Sequence, residues 1–346
     1  MRGWRLHGWG EPLRWEEIEE ATPGPTEVGI AVEACGVGLT VLNCIRGDLT
    51  DSPELLPRVP GHEIVGTVVA AGGEAGVELI GHRVVAYFYL SCGDCVECSA
   101  GADARCRNLG GWVGIHTDGG YAPRVVLPAH NAIPVPDTVD PVAATVIPDA
   151  VATPIHISRS RARITGGDRV AVIGAGGGVG VHMLQVAMLD GGSAAGLDIS
   201  DEKLSLVSDV GARAVRSDDF PSLDPDALFE AGRPTVVVDL VGTDASLGWS
   251  VGALAAGGRL VVLTTFRHRS LADDPRELVF REISLVGSRY ASRSEVAVAG
   301  GLVASGAIRP IIGQVASPGE VLELHDRLEA GTMLGRGALD WSKSDV

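Results

Sequence analysis

The stretch DRVAVIGAGGGVGVHMLQVAMLDG, from Asp168 to Gly191, constrains the fold more than any other part of the chain. A continuous apolar run of this kind reads as a buried strand, and the glycines after it as a tight turn. VGVHMLQVAMLDG then carries apolar residues at helical spacing, and SAAGLDI reads as a second strand. Together they form a βαβ unit. PTVVVDLVG, GRLVVLTT and ISLVGSRY add further strands with helical stretches between them. The expected result is an α/β architecture, a doubly wound parallel sheet with helices on both faces. Residues 26–90 have another rhythm. EVGIAVEACGVG, IVGTVVAAG and RVVAYFYL are short β segments broken by Gly and Pro, which suits an irregular β barrel.

The glycine turn has a chemical use. In Gly174-Ala175-Gly176-Gly177-Gly178-Val179-Gly180 the backbone can approach a pyrophosphate with no Cβ in the way, and the following helix offers free N–H groups to phosphate. Asp198 ends the second strand. A carboxylate there accepts hydrogen bonds from both ribose hydroxyls and repels a 2′-phosphate, so NAD(H) is expected rather than NADP(H). A plain glycine turn with a surface Asp is the bland alternative.

Cys92, Cys95, Cys98 and Cys106 form C-x2-C-x2-C-x7-C. Four thiolates so spaced can close a tetrahedral zinc shell with no open position, which makes the metal structural. A disulfide or redox use is the alternative, and a cytoplasmic setting favours metal. Cys35 and Cys44 read as small buried hydrophobes.

Composition excludes several classes. The net charge of −16 and the lack of a basic cluster argue against nucleic acid. No run of eighteen apolar residues suggests a membrane span, and MRGWRLHGWGEP lacks the pattern of a signal peptide, so a cytoplasmic protein is expected.

With the motifs in order, the chain resembles the zinc-dependent alcohol dehydrogenases of the medium-chain dehydrogenase/reductase family. The resemblance rests on Pro60-Gly61-His62-Glu63 with Gly66, the cysteine lobe, Asp118-Gly119-Gly120-Tyr121, the glycine turn, Gly257-Gly258 and Gly335-Arg336. It implies a GroES-like catalytic domain over 1–150 with its lobe near 90–107, a Rossmann domain over 151–292, and a return to the catalytic domain over 293–346. It implies a small-molecule substrate and a homodimer or homotetramer joined through the last Rossmann strand, Ile283 to Tyr290.

The resemblance also assigns roles. His62, Asp149 and Glu63 match ligands of a catalytic zinc, and Thr40 matches the hydroxyl of a proton relay. Thr153 stands where the family touches the nicotinamide, Lys203 joins the cofactor residues, and Arg336 matches an arginine on the cofactor pyrophosphate. Tyr87, Tyr89 and Trp112 are expected in the substrate pocket, with aromatic packing under the lobe as the alternative. The family's A-C-G-V-C-x-T-D reads Ala34-Cys35-Gly36-Val37-Gly38-Leu39-Thr40-Val41 here. Gly38 stands at a ligand position and Val41 replaces a supporting Asp, which puts the catalytic zinc in doubt.

Two mechanisms are open at this point. A metal on His62, Asp149 and Glu63 could polarise a carbonyl or alkoxide while Thr40 relays the proton. Without a metal, hydride could add to a conjugated enal or enone while Glu63, Thr40 or His62 donates a proton or a hydrogen bond. His62 as a core histidine and a cofactor-binding protein without catalysis are the remaining alternatives.

Overall fold

The computed structural model describes residues 1–263 and 274–343. It divides into two compact units, Met1–Ala152 with Ala291–Val346, and Thr153–Tyr290.

The first unit is built on a seven-stranded sheet. Six strands run in the order Ile312–Ala316, Arg336–Asp340, Glu27–Val37, Glu63–Ala71, Arg83–Ala86 and Ala132–Pro134, and Arg124–Pro128 also pairs with Glu27–Val37. The long strand Glu27–Val37 alternates half-buried and buried residues until Ala34, then stays buried through Val37. Its first part therefore has one wet face, and its last turn lies inside the unit. Register shifts after Gly29 and Val32 bend it, so that it serves three partner strands. The register then decides what meets at its buried end. Gly36 faces Glu63 on one side, and Val37 faces Gly337 on the other. One more antiparallel step sets Arg336 opposite Gly38.

The second unit carries a parallel sheet of six strands, Arg213–Arg216, Ser193–Asp198, Arg169–Ile173, Val236–Asp239, Arg259–Val262 and Ser284–Gly287 in spatial order. Alternate side chains feed two cores. Val170, Val172, Val236 and Val238 join Met183, Leu184 and Ala187 of the helix Gly178–Leu189. Ala171, Ile173 and Val237 join Val251, of the helix Asp244–Ala253, and Leu254. Successive residues of a strand point to opposite faces, so the two cores lie on the two sides of the sheet. Each fully buried Val or Leu there contributes roughly 1.5–3 kcal/mol. This is the doubly wound arrangement expected from the apolar strand runs. Among the described residues, no helix is long and apolar enough to cross a membrane.

Candidate active site and zinc lobe

The glycine turn follows the strand Arg169–Ile173. Gly174 has φ +79, a left-handed conformation that favours glycine. A Cβ at Gly176 would lie 2.4 Å from the Lys203 side chain, and one at Gly180 would lie 2.3 Å from the Gly174 carbonyl. Gly177 caps the helix with no side chain, and Val179 stands half-buried in its first turn, leaving backbone N–H groups open to an anion. The Asp198 carboxylate is fixed beside them. It accepts the Gly176 N–H at 2.8 Å and the Ile199 N–H at 2.8 Å, and Lys203 Nζ stands 3.8 Å from it. Gly176, Asp198 and Lys203 thus lie together at the turn. Thr153 lies in the same unit and is buried.

In the first unit the four lobe cysteines are free of disulfides, and their sulfur atoms converge. Cys92–Cys106 are 3.4 Å apart, Cys95–Cys98 3.5 Å, and Cys92–Cys98 and Cys95–Cys106 4.0 Å. A tetrahedral zinc with Zn–S bonds of about 2.3 Å needs sulfurs about 3.8 Å apart, so the four thiols fit that ion. Backbone N–H groups of Cys98 and Arg107 favour the Cys95 thiolate and draw its pKa down to about 6.

The second cluster is buried. Asp118 accepts the Val59 N–H at 2.9 Å, while Gly119, Gly120 and Tyr121 donate to Val59, Gly61 and Pro60. That loop pairing seats His62 and Glu63 at the start of their strand. Asp149 comes from a π-helical turn, Ile147–Val151, the widened form that often marks a site. His62 Nε2 lies 3.5 Å from Glu63 Oε1 and 3.7 Å from Asp149 Oδ2, and the three donors lie within 4.8 Å of one another.

Spacing alone would admit a metal ion, but Arg336 is already there. Its Nε donates to Glu63 Oε2 at 2.8 Å, its Nη2 donates to Asp149 Oδ2 at 2.9 Å, and Nη2 also contacts Glu63 Oε1. Burial draws its pKa down to about 10, so the guanidinium is charged at neutral pH. A Cβ on Gly38 would lie 2.2 Å from Arg336 Cζ. A cysteine ligand at position 38 and this guanidinium exclude each other. The residues present, with no thiolate, two carboxylates already ion-paired and a cation between them, do not fit a catalytic metal ion.

Arg336 is the counter-ion of this cluster. Its guanidinium lies on two carboxylates of its own unit, because two buried carboxylates need a cation. Cys35 and Cys44 stay out of the cluster; their thiols point to the carbonyls of Gly36 at 3.6 Å and Gly114 at 3.7 Å. Thr40 sits half-buried on the helix Leu39–Ile45 and hydrogen-bonds to none of the three donors. Of the expected pocket aromatics, Tyr87 is fully buried with its hydroxyl on the Ala291 carbonyl at 3.0 Å, so within this unit it packs the core. Tyr89 and Trp112 pack ring against ring at an interplanar angle of 56°, their centroids 5.8 Å apart. Phe88, not singled out from sequence, is the ring that meets His62, at 4.6 Å. Its place beside Tyr87 and Tyr89 in the strand-like run RVVAYFYL was the available signal.

Comparison with known proteins gives these features a common source. Residues 24–137 match the alcohol dehydrogenase GroES-like domain, and residues 178–305 match the zinc-binding dehydrogenase domain. An alcohol dehydrogenase of Geobacillus stearothermophilus is 31% identical over 94% of this chain and 94% of its own length. An NAD-dependent alcohol dehydrogenase of Sulfolobus acidocaldarius is 29% identical over 98% of this chain and 99% of its own. The crystal structure of the alcohol dehydrogenase of Aeropyrum pernix superposes with a TM-score of 0.89 at 27% identity, covering 98% of this chain and 100% of that one. The chain belongs to the zinc-type alcohol dehydrogenases of the medium-chain dehydrogenase/reductase family.

Proposed function

We propose that this member of the family transfers hydride between NAD(H) and a small carbonyl compound without a catalytic metal ion, with conjugated enals and enones as its substrate class. The observation that carries the reading is the Arg336 guanidinium bound to Glu63 and Asp149 beside His62. In the zinc-type mechanism a Lewis acid stabilises the alkoxide of an unactivated alcohol, and no such ion fits beside His62. A conjugated acceptor needs less. Hydride adds at the β carbon, the π electrons shift to an enolate oxygen, and hydrogen-bond donors hold that charge. The α carbon then takes a proton, with Thr40 or His62 as the candidate relay.

NAD(H) is supported by the open glycine turn and by the Asp198 carboxylate beside it. In the lobe, Cys92, Cys95, Cys98 and Cys106 would hold a zinc ion that cross-links the loop and leaves no coordination position for substrate. We read the protein as a cytoplasmic homodimer or homotetramer, a reading supported by the edge position of Ser284–Gly287 and by Leu285, 42% exposed on it.

The test is zinc content together with NADH oxidation on a substrate panel. The reading expects about one zinc per chain and enone-dependent NADH oxidation that survives a chelator. About two zincs per chain with alcohol oxidation that the chelator abolishes would overturn it.

A further inference from the structure

Asp198 does not stand alone at the end of its strand. Lys203, on the first turn of the helix Asp201–Asp209, places Nζ 3.8 Å from Asp198 Oδ1. Arg216 faces it across the sheet, because the parallel register of Arg213–Arg216 on Ser193–Asp198 sets Arg216 opposite Asp198. Side chains paired in this way leave the sheet on the same face. The guanidinium then reaches over the strand end. Nη1 donates to the Ile199 carbonyl at 2.6 Å, one residue beyond Asp198, and Nη2 donates to Asp201 Oδ1. Asp218 Oδ2 stands 3.7 Å from Nη1. All of these residues belong to the unit Thr153–Tyr290.

The contacts that hold Arg216 are weak ones. Its side chain is 43% exposed and that of Asp201 90%, and an ion pair in such a place shifts an equilibrium by no more than about fivefold. The guanidinium also borders open space. It lines a cavity of about 200 Å³ with Arg213, Asp218 and Ser222, so it has room to turn. Asp198 differs in both respects. Its carboxylate is 5% exposed and pinned by the Gly176 and Ile199 N–H groups, so it cannot swing away from what the ribose brings.

Resting on the reading of Asp198 as the ribose acceptor, we infer that Lys203 and Arg216 form a masked site for a ribose 2′-phosphate. The Asp198 carboxylate is what keeps NADPH out of it. A phosphate on the 2′ oxygen would meet that carboxylate first and be repelled. With a neutral residue at position 198, Lys203 loses its counter-ion, and two cations converge on one strand end. Arg216 then exchanges the Asp201 carboxylate for the phosphate, since a dianion takes the planar fork more strongly than an exposed carboxylate does. Coenzyme choice in this chain therefore hangs on one fixed carboxylate, with Asp201 and Asp218 as a minor restraint.

An arginine on the edge strand Arg213–Arg216 also has an ordinary use, which is to guard that edge against pairing with another chain. That use favours neither dinucleotide. A phosphate partner favours NADPH, so the ratio of the two affinities separates the roles.

The experiment titrates NADH and NADPH into the full-length protein and follows nicotinamide fluorescence, with no turnover needed. Asp198→Ser should weaken NADH and tighten NADPH, each by about 10–100-fold, the span of a hydrogen bond to a charged group. Adding Arg216→Gln should return at least about tenfold of the NADPH gain, while the NADH Kd stays within about threefold of Asp198→Ser. Arg216→Lys in its place should keep part of the gain, since the charge remains without the fork. If Asp198→Ser does not fold, Asp198→Asn, which keeps the shape and one acceptor, carries the same series. An NADPH gain that survives Arg216→Gln would overturn the inference, as would an equal loss of both dinucleotides. So would weakened NADH with no gain for NADPH, an outcome that leaves the ribose reading standing. If Asp198→Ser moves neither affinity, the ribose reading itself has failed and the masked site falls with it.

Discussion

Among the described residues the chain carries two clusters of potential metal donors, and they solve the same electrostatic problem in opposite ways. In the lobe, four thiols from one loop crowd together, and the nearby arginines Arg105 and Arg107 face Glu97 rather than the sulfurs. Among the described residues no side-chain cation stands between the sulfurs, so the zinc ion proposed for the lobe would supply the charge. At His62, hard carboxylate donors gather from distant parts of the sequence, and an arginine 273 residues away from Glu63 comes with them. The difference teaches that a ligand-like cluster asks for charge, not for metal. Whether a metal fills it depends on what else the fold delivers.

The most severe way to break the comparison is at the lobe. Cys98 is the buried thiol of the four, and Cys98→Ser should remove the zinc altogether. Structural zinc is worth ~10–16 kcal/mol in isolated zinc-finger peptides, so a loss of more than about 5 kcal/mol in denaturant stability is expected. Asp103, held by Arg293 through Nε and the backbone N–H at 3.1 Å each, should be released with the loop. An equally stable, zinc-free variant would mean that the sulfurs merely pack.

At the other cluster the expected effect is smaller and has a distinctive sign. Arg336→Met leaves two buried carboxylates unpaired and should cost about 3–5 kcal/mol. Adding Glu63→Gln removes one of those orphan charges, so the double variant should be more stable than Arg336→Met alone. Urea unfolding of the two singles and the double gives the coupling directly. Additive losses would mean that Arg336 is not the counter-charge of this pair.

Acid separates the clusters from the rest of the molecule. His182 in the nucleotide unit and His325 in the other are both buried, and burial draws each pKa down to about 4. The unfolded chain, with pKa values near 6.5, binds more protons than the folded one between about pH 6.5 and 4. Stability is therefore fully present above pH 6.5 and falls as pH drops, by about 3 kcal/mol per histidine. His182→Gln should flatten that limb in urea titrations at pH 7 and pH 4.5. An unchanged slope would locate the acid sensitivity elsewhere, for instance at the carboxylate cluster.

Much of this was legible in the sequence, for identifiable reasons. Glycine turn, lobe and His62-Glu63 are local patterns, each with spacing fixed by one tight turn or loop, so residue order alone exposes them. Gly38 was legible as a missing ligand. What filled the space was not, because Arg336 reaches Gly38 only through the antiparallel register that sets Gly337 against Val37. Two carboxylates, at Glu63 and Asp149, with no metal thiolate between them already called for a cation. That demand, applied to the late Gly335-Arg336, was the signal available.

The cofactor side gives the smallest expected effect and the finest test. Asp198 is held by the Gly176 and Ile199 N–H groups, and its remaining lone pairs are the ribose acceptors of the proposed NAD(H) site. A hydrogen bond to a charged group is worth about 1.5–3 kcal/mol, so Asp198→Asn should raise the NADH Kd about 10–100-fold and narrow the preference over NADPH. Because the substitution leaves the carboxylate cluster of the other unit untouched, kcat at saturating NADH should hold. An Asp198→Asn enzyme with unchanged NADH affinity would mean that the ribose does not sit on this carboxylate. If affinity falls while kcat holds, the second strand's carboxylate is where this fold reads the cofactor.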